Sequence, residues 1–127
     1  SIDLNQLIKS SDIISFHCKP TKDGKPIIAL NELKLMKKNS VIINTARGDL
    51  INEDDLKLAL DSGLIAGAAL DVYSVEPAIN NVLFETKNLI LTPHIAASTF
   101  EAQIVVAEQI AIQMSDYFIK GEIVNSV

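Results

Sequence analysis

Three side chains in this sequence carry chemistries that would work together: Arg47, Glu76 and His94. A histidine titrates near neutrality and can give or take a proton. A carboxylate beside a histidine favours its charged form and fixes its tautomer. A guanidinium is always charged, and its planar fork matches a carboxylate bidentately, so an arginine suits a small acidic substrate and polarises the neighbouring oxygen. The three are separated by 29 and 18 residues, so only the fold can bring them together. Each also has a plain structural alternative: an arginine capping a sheet edge or paired with a surface carboxylate, a solvated glutamate in a Glu76-Pro77 turn, and a loop histidine bonded to backbone.

The elements that must position them are readable from the apolar runs. Val41-Ile42-Ile43-Asn44 stops abruptly in Thr45-Ala46-Arg47-Gly48-Asp49, residues 65–72 precede Glu76, and Asn88-Leu89-Ile90-Leu91-Thr92 is halted by Pro93-His94. Short β-branched runs ending in polar residues predict buried strands that deliver their last residues to a surface. Ile13-Ile14-Ser15-Phe16 predicts one more, left through His17-Cys18-Lys19-Pro20-Thr21. The small residues of 65–72 suggest close packing against a helix or a backbone approached by a ligand.

Helices fill the gaps. Leu4, Leu7 and Ile8 have helical spacing, closed by Ser10-Ser11-Asp12. Asn31 can cap a short helix through residues 33–36, with Lys37 and Lys38 at its carboxyl end. Asn52-Glu53-Asp54-Asp55 places acids in the first turn of a helix through Leu60, stopped by Gly63. Residues 73–87 read as a loop. Ser98-x-x-Glu101 is a capping box opening a long helix that Gly121 closes. Ile104, Val106, Ile110 and Ile112 spread that helix's apolar stripe over more than one face, which predicts cover from another domain or subunit. This alternation predicts an α/β fold with a parallel sheet. In such open sheets ligands bind beyond the carboxyl ends of the strands, so Arg47, Glu76 and His94 fall on one rim.

Composition bounds the rest. A chain of 127 residues, 48% hydrophobic and 21% charged, suits one globular domain. Net charge of −5 and a pI near 4.9 disfavour nucleic-acid and anionic-membrane partners, while leaving room for a local anion site. Cys18 is the single cysteine, which rules out an internal disulfide, and one cysteine with two histidines argues against a structural zinc site. The chain shows no leader pattern, and its longest uncharged run, residues 88–100, contains Pro93 and is shorter than the ~20 residues of a membrane helix. A soluble, cytoplasmic protein is the expectation.

Three segments in series, Asn44-Thr45-Ala46-Arg47-Gly48-Asp49, residues 63–77 (GLIAGAALDVYSVEP) and residues 88–99 (NLILTPHIAAST), resemble the signatures of the D-isomer-specific 2-hydroxyacid dehydrogenases. The likeness covers nearly the whole chain in the right order. It implies the second half of a Rossmann-like doubly wound parallel sheet with a long C-terminal helix, using NAD as cofactor. It implies that Arg47 binds the substrate carboxylate and carbonyl, that Glu76 pairs with the histidine, and that His94 is the acid/base. It further implies that Thr45, Ala46 and Arg47 line the nicotinamide side, that Asp71 meets the carboxamide, and that His94, Ala96 and Ala97 follow along the cofactor. Within the family, residues 97–103 and the closing Asn125-Ser126-Val127 most resemble the 3-phosphoglycerate dehydrogenase branch, the entry to serine synthesis. A homo-oligomer, dimer or tetramer, is implied for the full-length enzyme.

Two departures stand out. Where the family reads His-x-Pro, Lys19 holds the proline's place and Pro20 comes one later, which puts any role of His17 or Cys18 in doubt. His17 is expected to pack on its neighbours at a strand end, and Cys18 to be a small buried side chain. The Gly-x-Gly-x-x-Gly fingerprint does not occur among the five glycines. Residues 1–127 are therefore expected to be the carboxyl-terminal half of an NAD-binding domain, without most of the substrate-binding domain, and with residues 99–127 returning toward the missing part. A non-catalytic NAD-sensing corepressor of the same fold and an inactive structural half-domain are the alternatives. Formate dehydrogenases are disfavoured because they carry glutamine where Glu76 stands.

Overall fold

Four short apolar runs pair in parallel and in chain order: β1 (Ile13–Phe16), β2 (Val41–Asn44), β3 (Gly67–Leu70) and β4 (Leu89–Leu91). The computed structural model of the chain describes residues 2–125, so Ser126 and Val127 of the tail resemblance lie outside the described residues. Two units divide after His94, Ser1–His94 and Ile95–Val127, and the whole sheet belongs to the first.

Pairing aligns the strands in rows. Ile14, Ile42 and Ala68 form one row and Phe16, Asn44 and Leu70 another, and all six are buried. The five apolar ones share one core with Ile8 of α1 (Leu4–Ser10), Leu33 of α2 (Leu30–Leu33), and Leu56 and Leu60 of α3 (Glu53–Asp61). The alternate rows point to the other face of the pleat. There Ile13 and Ile90 are 64% and 68% exposed. The strands predicted as buried are therefore buried on one face, because the helices of this unit pack in a single core with that face.

Helix ends follow local hydrogen bonding. Asp3 caps α1 by accepting from the Asn5 and Gln6 N–H groups. The α2 helix starts earlier than predicted, with Ala29 at the cap and Asn31 inside the helix. Acids do the capping instead: the Ala29 N–H donates to Glu32 and the Leu30 N–H to Asp55 of α3, at 3.0 and 2.9 Å. Asn52 caps α3, whose first turn carries the predicted acids Glu53, Asp54 and Asp55, and the helix ends just before Gly63, at φ 67°. The second unit holds α4 (Phe100–Lys120), capped by Thr99 rather than Ser98, because the Thr99 hydroxyl is the one that accepts from the Ala102 N–H. None of the α4 residues is buried. No helix among the described residues is long and apolar enough to cross a membrane.

Residues 71–88 join β3 to β4 as a loop, anchored by the fully buried Leu83. Its first turn lies against Gly48, which opens the 3₁₀ turn Gly48–Leu50 after β2. A β-carbon at Gly48 would overlap the main-chain carbonyl of Tyr73 and the Ser74 nitrogen, so only glycine permits this approach of two backbones. Gly48→Ala is expected to cost about 1–3 kcal/mol, the scale of overpacking a closed contact. Urea denaturation monitored by far-UV circular dichroism checks it, and an unchanged midpoint would refute it.

Candidate active site

The last in-register row of the sheet sets the rim. Three residues beyond Phe16, Asn44, Leu70 and Leu91 stand Lys19, Arg47, Tyr73 and His94. Parallel pairing thus brings residues far apart in sequence to one edge, as the strand pattern predicts.

Asn44 builds the turn that carries Arg47. Its buried side chain donates through Nδ2 to the Arg47 carbonyl and accepts through Oδ1 from the Ala46 N–H, at 2.9 and 3.1 Å. The Arg47 side chain is then left over. It is exposed, one guanidinium nitrogen turns back to the Ala46 carbonyl at 2.6 Å, and it forms no ion pair among the described residues. Arg47, Glu76 and His94 line one cleft of about 230 Å³ with Gly48, Asp49 and Tyr73.

His94 and Glu76 meet directly, with Nδ1 2.6 Å from Oε2. An ionised carboxylate can only accept, so Nδ1 carries the proton and Nε2 is the nitrogen left for a reacting group. The other Glu76 oxygen accepts from the Tyr73 N–H at 3.0 Å. His94 sits at φ 55°, in the left-handed region, where a side chain costs roughly 1–2 kcal/mol. The hydrogen bond from His94 and then the Tyr73 N–H hold the Glu76 carboxyl below the ordinary carboxylate value, against the opposing effect of burial. The pairing therefore stabilises the folded loop fully above the carboxyl's unfolded-chain value, and that stability is lost as pH falls through the lowered folded value.

Further residues hold the loop that presents Glu76. Glu53 in the first turn of α3 accepts from the Ser74 N–H at 2.7 Å and from Asn81 Nδ2 at 2.8 Å. The Tyr73 hydroxyl donates to the Thr92 carbonyl at 2.8 Å, and the Thr92 hydroxyl donates to Asp71 at 2.5 Å. Burial first, and then the negative charges of Asp71, Glu53 and Glu76, push the Tyr73 phenol up, so it remains a donor. Sequence reasoning assigned no role to Asn44, Gly48 or Tyr73, and took Glu53 for a helix-dipole acid. Gly48, the Tyr73 hydroxyl and Glu53 meet partners in other segments, which no spacing rule marks, whereas Asn44 bonds within its own turn.

The remaining predicted residues divide. Thr45, Ala46 and Arg47 line a second cleft of about 320 Å³ together with residues 16–19. Asp71 is buried at the end of β3. Ala96 and Ala97 belong to the second unit, where both are exposed. Cys18 is a free, exposed thiol, contrary to the buried side chain expected, and His17 is exposed with Nε2 2.8 Å from Ser15 Oγ. Strand β1 ends at Phe16, so both already lie past the sheet. No cluster of three or more metal-ligating residues exists among the described residues. A third cleft, of about 550 Å³, has Tyr73, Pro77, Phe84, Leu91 and Pro93 in its wall, with Glu76 and His94 at the polar end.

The strand ends of this parallel α/β sheet gather an arginine and a carboxylate-paired histidine on the rim where doubly wound domains bind their ligands. Comparison with known proteins gives the family. The model of the D-isomer specific 2-hydroxyacid dehydrogenase NAD binding domain matches residues 1–96, and the chain belongs to that family. A glyoxylate reductase of Thermococcus litoralis is 46% identical over 122 residues, which is 96% of this chain and 37% of that protein. A D-3-phosphoglycerate dehydrogenase of Methanocaldococcus jannaschii is 42% identical over 125 residues, 98% of this chain and 24% of the relative. Among solved structures, a glyoxylate reductase from Paecilomyes thermophila superposes with a TM-score of 0.78 at 35% identity, over 97% of this chain and 38% of that one. The chain spans well under half the length of each.

Two measurements test the geometry itself. In His94→Gln, the Glu76 carboxyl is expected to titrate closer to the reference value of 4.5, upward from its lowered value, when followed by carboxyl-carbon NMR. An unmoved midpoint would refute the assigned cause. In Glu53→Ala, the Ser74 amide is expected to lose its hydrogen-exchange protection ahead of the β2 amides, because its acceptor is gone.

Proposed function

We propose that this chain supplies the acid/base half of an NAD-dependent dehydrogenase acting on D-2-hydroxy acids. The observation that carries the reading is the His94–Glu76 pair facing one cleft with the unpaired guanidinium of Arg47. The residues fit the nicotinamide end of the cofactor: the cleft lined by Thr45, Ala46 and Arg47 opens on the strand-end rim, and Arg47 lines it and the dyad's cleft alike. The glycine-rich phosphate turn does not occur in these 127 residues, and we assign that role to chain outside them.

Arg47 holds the substrate carboxylate and polarises the C2 oxygen. In the oxidative direction His94 Nε2 takes the hydroxyl proton, and the Glu76 carboxylate stabilises the imidazolium that forms. Thr45, Ala46 and Arg47 would line the nicotinamide end of NAD, which would supply the hydride acceptor for C2. Asp71, locked by Thr92 at the end of β3, is the residue we assign to the carboxamide. In reduction, His94 returns the proton to the new alkoxide.

For the substrate we propose 3-phosphoglycerate, oxidised to 3-phosphohydroxypyruvate, supported by the phosphoglycerate dehydrogenase relative and by residues 97–103. The glyoxylate reductase relative supports glyoxylate as the competing 2-keto acid. The exposed apolar side chains of α4, such as Phe118 and Ile119, support a homo-oligomer.

NADH oxidation by the longest natural form of the protein tests the reading, with 3-phosphohydroxypyruvate and glyoxylate as substrates. His94→Gln is expected to lower kcat by about 10²–10⁴, the range for one general acid/base. Arg47→Lys is expected to raise KM for the keto acid, because the bidentate fork is lost. Measurable NADH binding with no oxidation by either keto acid would overturn catalysis in favour of a cofactor-sensing role.

A further inference from the structure

The chain reaches His94 by a short approach. Strand β4 is three residues long and ends at Leu91. Pro93 has no N–H, so the Thr92 N–H is the last main-chain donor before the histidine. Thr92 is fixed through each of its polar groups. Its N–H donates to the Leu70 carbonyl at 3.0 Å, its hydroxyl donates to Asp71 at 2.5 Å, and its carbonyl accepts from the Tyr73 hydroxyl at 2.8 Å. The first two bonds tie Thr92 to the end of β3. The third ties it to the loop that presents Glu76.

Tyr73 therefore reaches both members of the dyad. Its N–H donates to one oxygen of Glu76, and its hydroxyl holds the chain two residues before His94. Any residue but proline could supply the N–H, whereas only the tyrosine hydroxyl supplies the second bond. Tyr73 is buried, and burial followed by the charges of Asp71, Glu53 and Glu76 pushes the phenol up, which keeps the proton on it. Its ring stands in the wall of the apolar cleft, a place that a phenylalanine ring fills equally. External support matters here because His94 stands at φ 55°, a conformation that a side chain resists and that persists only where its surroundings enforce it.

We propose that the Tyr73 hydroxyl is a positioning group for the acid/base. By holding the Thr92 carbonyl, it sets the approach of His94 Nδ1 to Glu76, and thereby where Nε2 is presented, without touching substrate or cofactor. The inference rests on the dehydrogenase reading for its kinetic consequence only; the effect on the dyad stands apart from it. Arg47 lies outside the effect. Asn44 fixes its turn, and the approach of Gly48 to residue 73 involves main-chain atoms alone.

The test is Tyr73→Phe in the longest natural form. With the better of glyoxylate and 3-phosphohydroxypyruvate, kcat for NADH oxidation is expected to fall roughly three- to tenfold, the scale of one neutral hydrogen bond. KM for the keto acid and for NADH is expected to stay within about twofold. Ring-nitrogen NMR shifts of His94, read through its C–H protons in the neutral ring, report the dyad without turnover. The Nδ1-protonated tautomer is expected to give way in part to the Nε2-protonated one as the bond to Glu76 loosens. In a Glu76→Gln background the loss of kcat from Tyr73→Phe is expected to disappear, because the hydroxyl acts through the pair. Unmoved ring-nitrogen shifts would overturn the proposal whatever the rate does. An unchanged kcat in an enzyme that turns over, a raised KM in place of the lowered kcat, or an equal proportional loss in Glu76→Gln would also overturn it. Altered shifts in a protein that turns over neither keto acid would leave the positioning role standing and overturn the dehydrogenase reading.

Discussion

The main-chain contact between Gly48 and Tyr73 ties the two loops of the site into one body. Arg47 immediately precedes this contact and Glu76 follows it by a few residues, so the positions of both charges are referred to the same pair of backbones. Tyr73 passes the constraint on. Its N–H fixes one oxygen of Glu76, the other oxygen fixes His94, and its hydroxyl reaches the carbonyl of Thr92, two residues before the histidine. The ends of β3 and β4 are thereby coupled through polar contacts no longer than 3.0 Å, and the end of β2 joins them through the close approach at Gly48.

Charge is handled differently on the two sides of Arg47. Toward β3, Glu53 and Glu76 are held by neutral donors, the Ser74 and Tyr73 N–H groups and the Asn81 amide, while Glu76 also takes the histidine. The hydrogen bonds from His94 and then the Tyr73 N–H favour the ionised form of the Glu76 carboxyl. Toward β1 no acid intervenes, and the Arg47 guanidinium and the Lys19 ammonium face the cleft together.

Much of this architecture is legible in the sequence because it is periodic. Apolar runs mark all four strands, and their abrupt polar ends mark the rim where Arg47 and His94 stand. Alternating burial is harder to read: Ile13 and Ile90 look like core residues, but this unit's own helices share a core with the opposite face of the sheet only. The α2 cap was misassigned to Asn31 because Asp55, a residue of another helix, does that work from 25 positions away. Cys18 looked like a core side chain because it follows an apolar strand, yet the strand has already ended. Residues that act through tertiary partners, Glu53 above all, leave no local trace.

Asn44 separates structure from reagent. By satisfying the turn from inside the sheet, it frees the side chains of Thr45 and Arg47 from any part in holding the chain's shape, and both project into solvent. Scaffold and chemistry thus reside in different positions of the same six-residue segment. Exchange of the outward residues alters what the rim attracts while the backbone that carries them keeps its course.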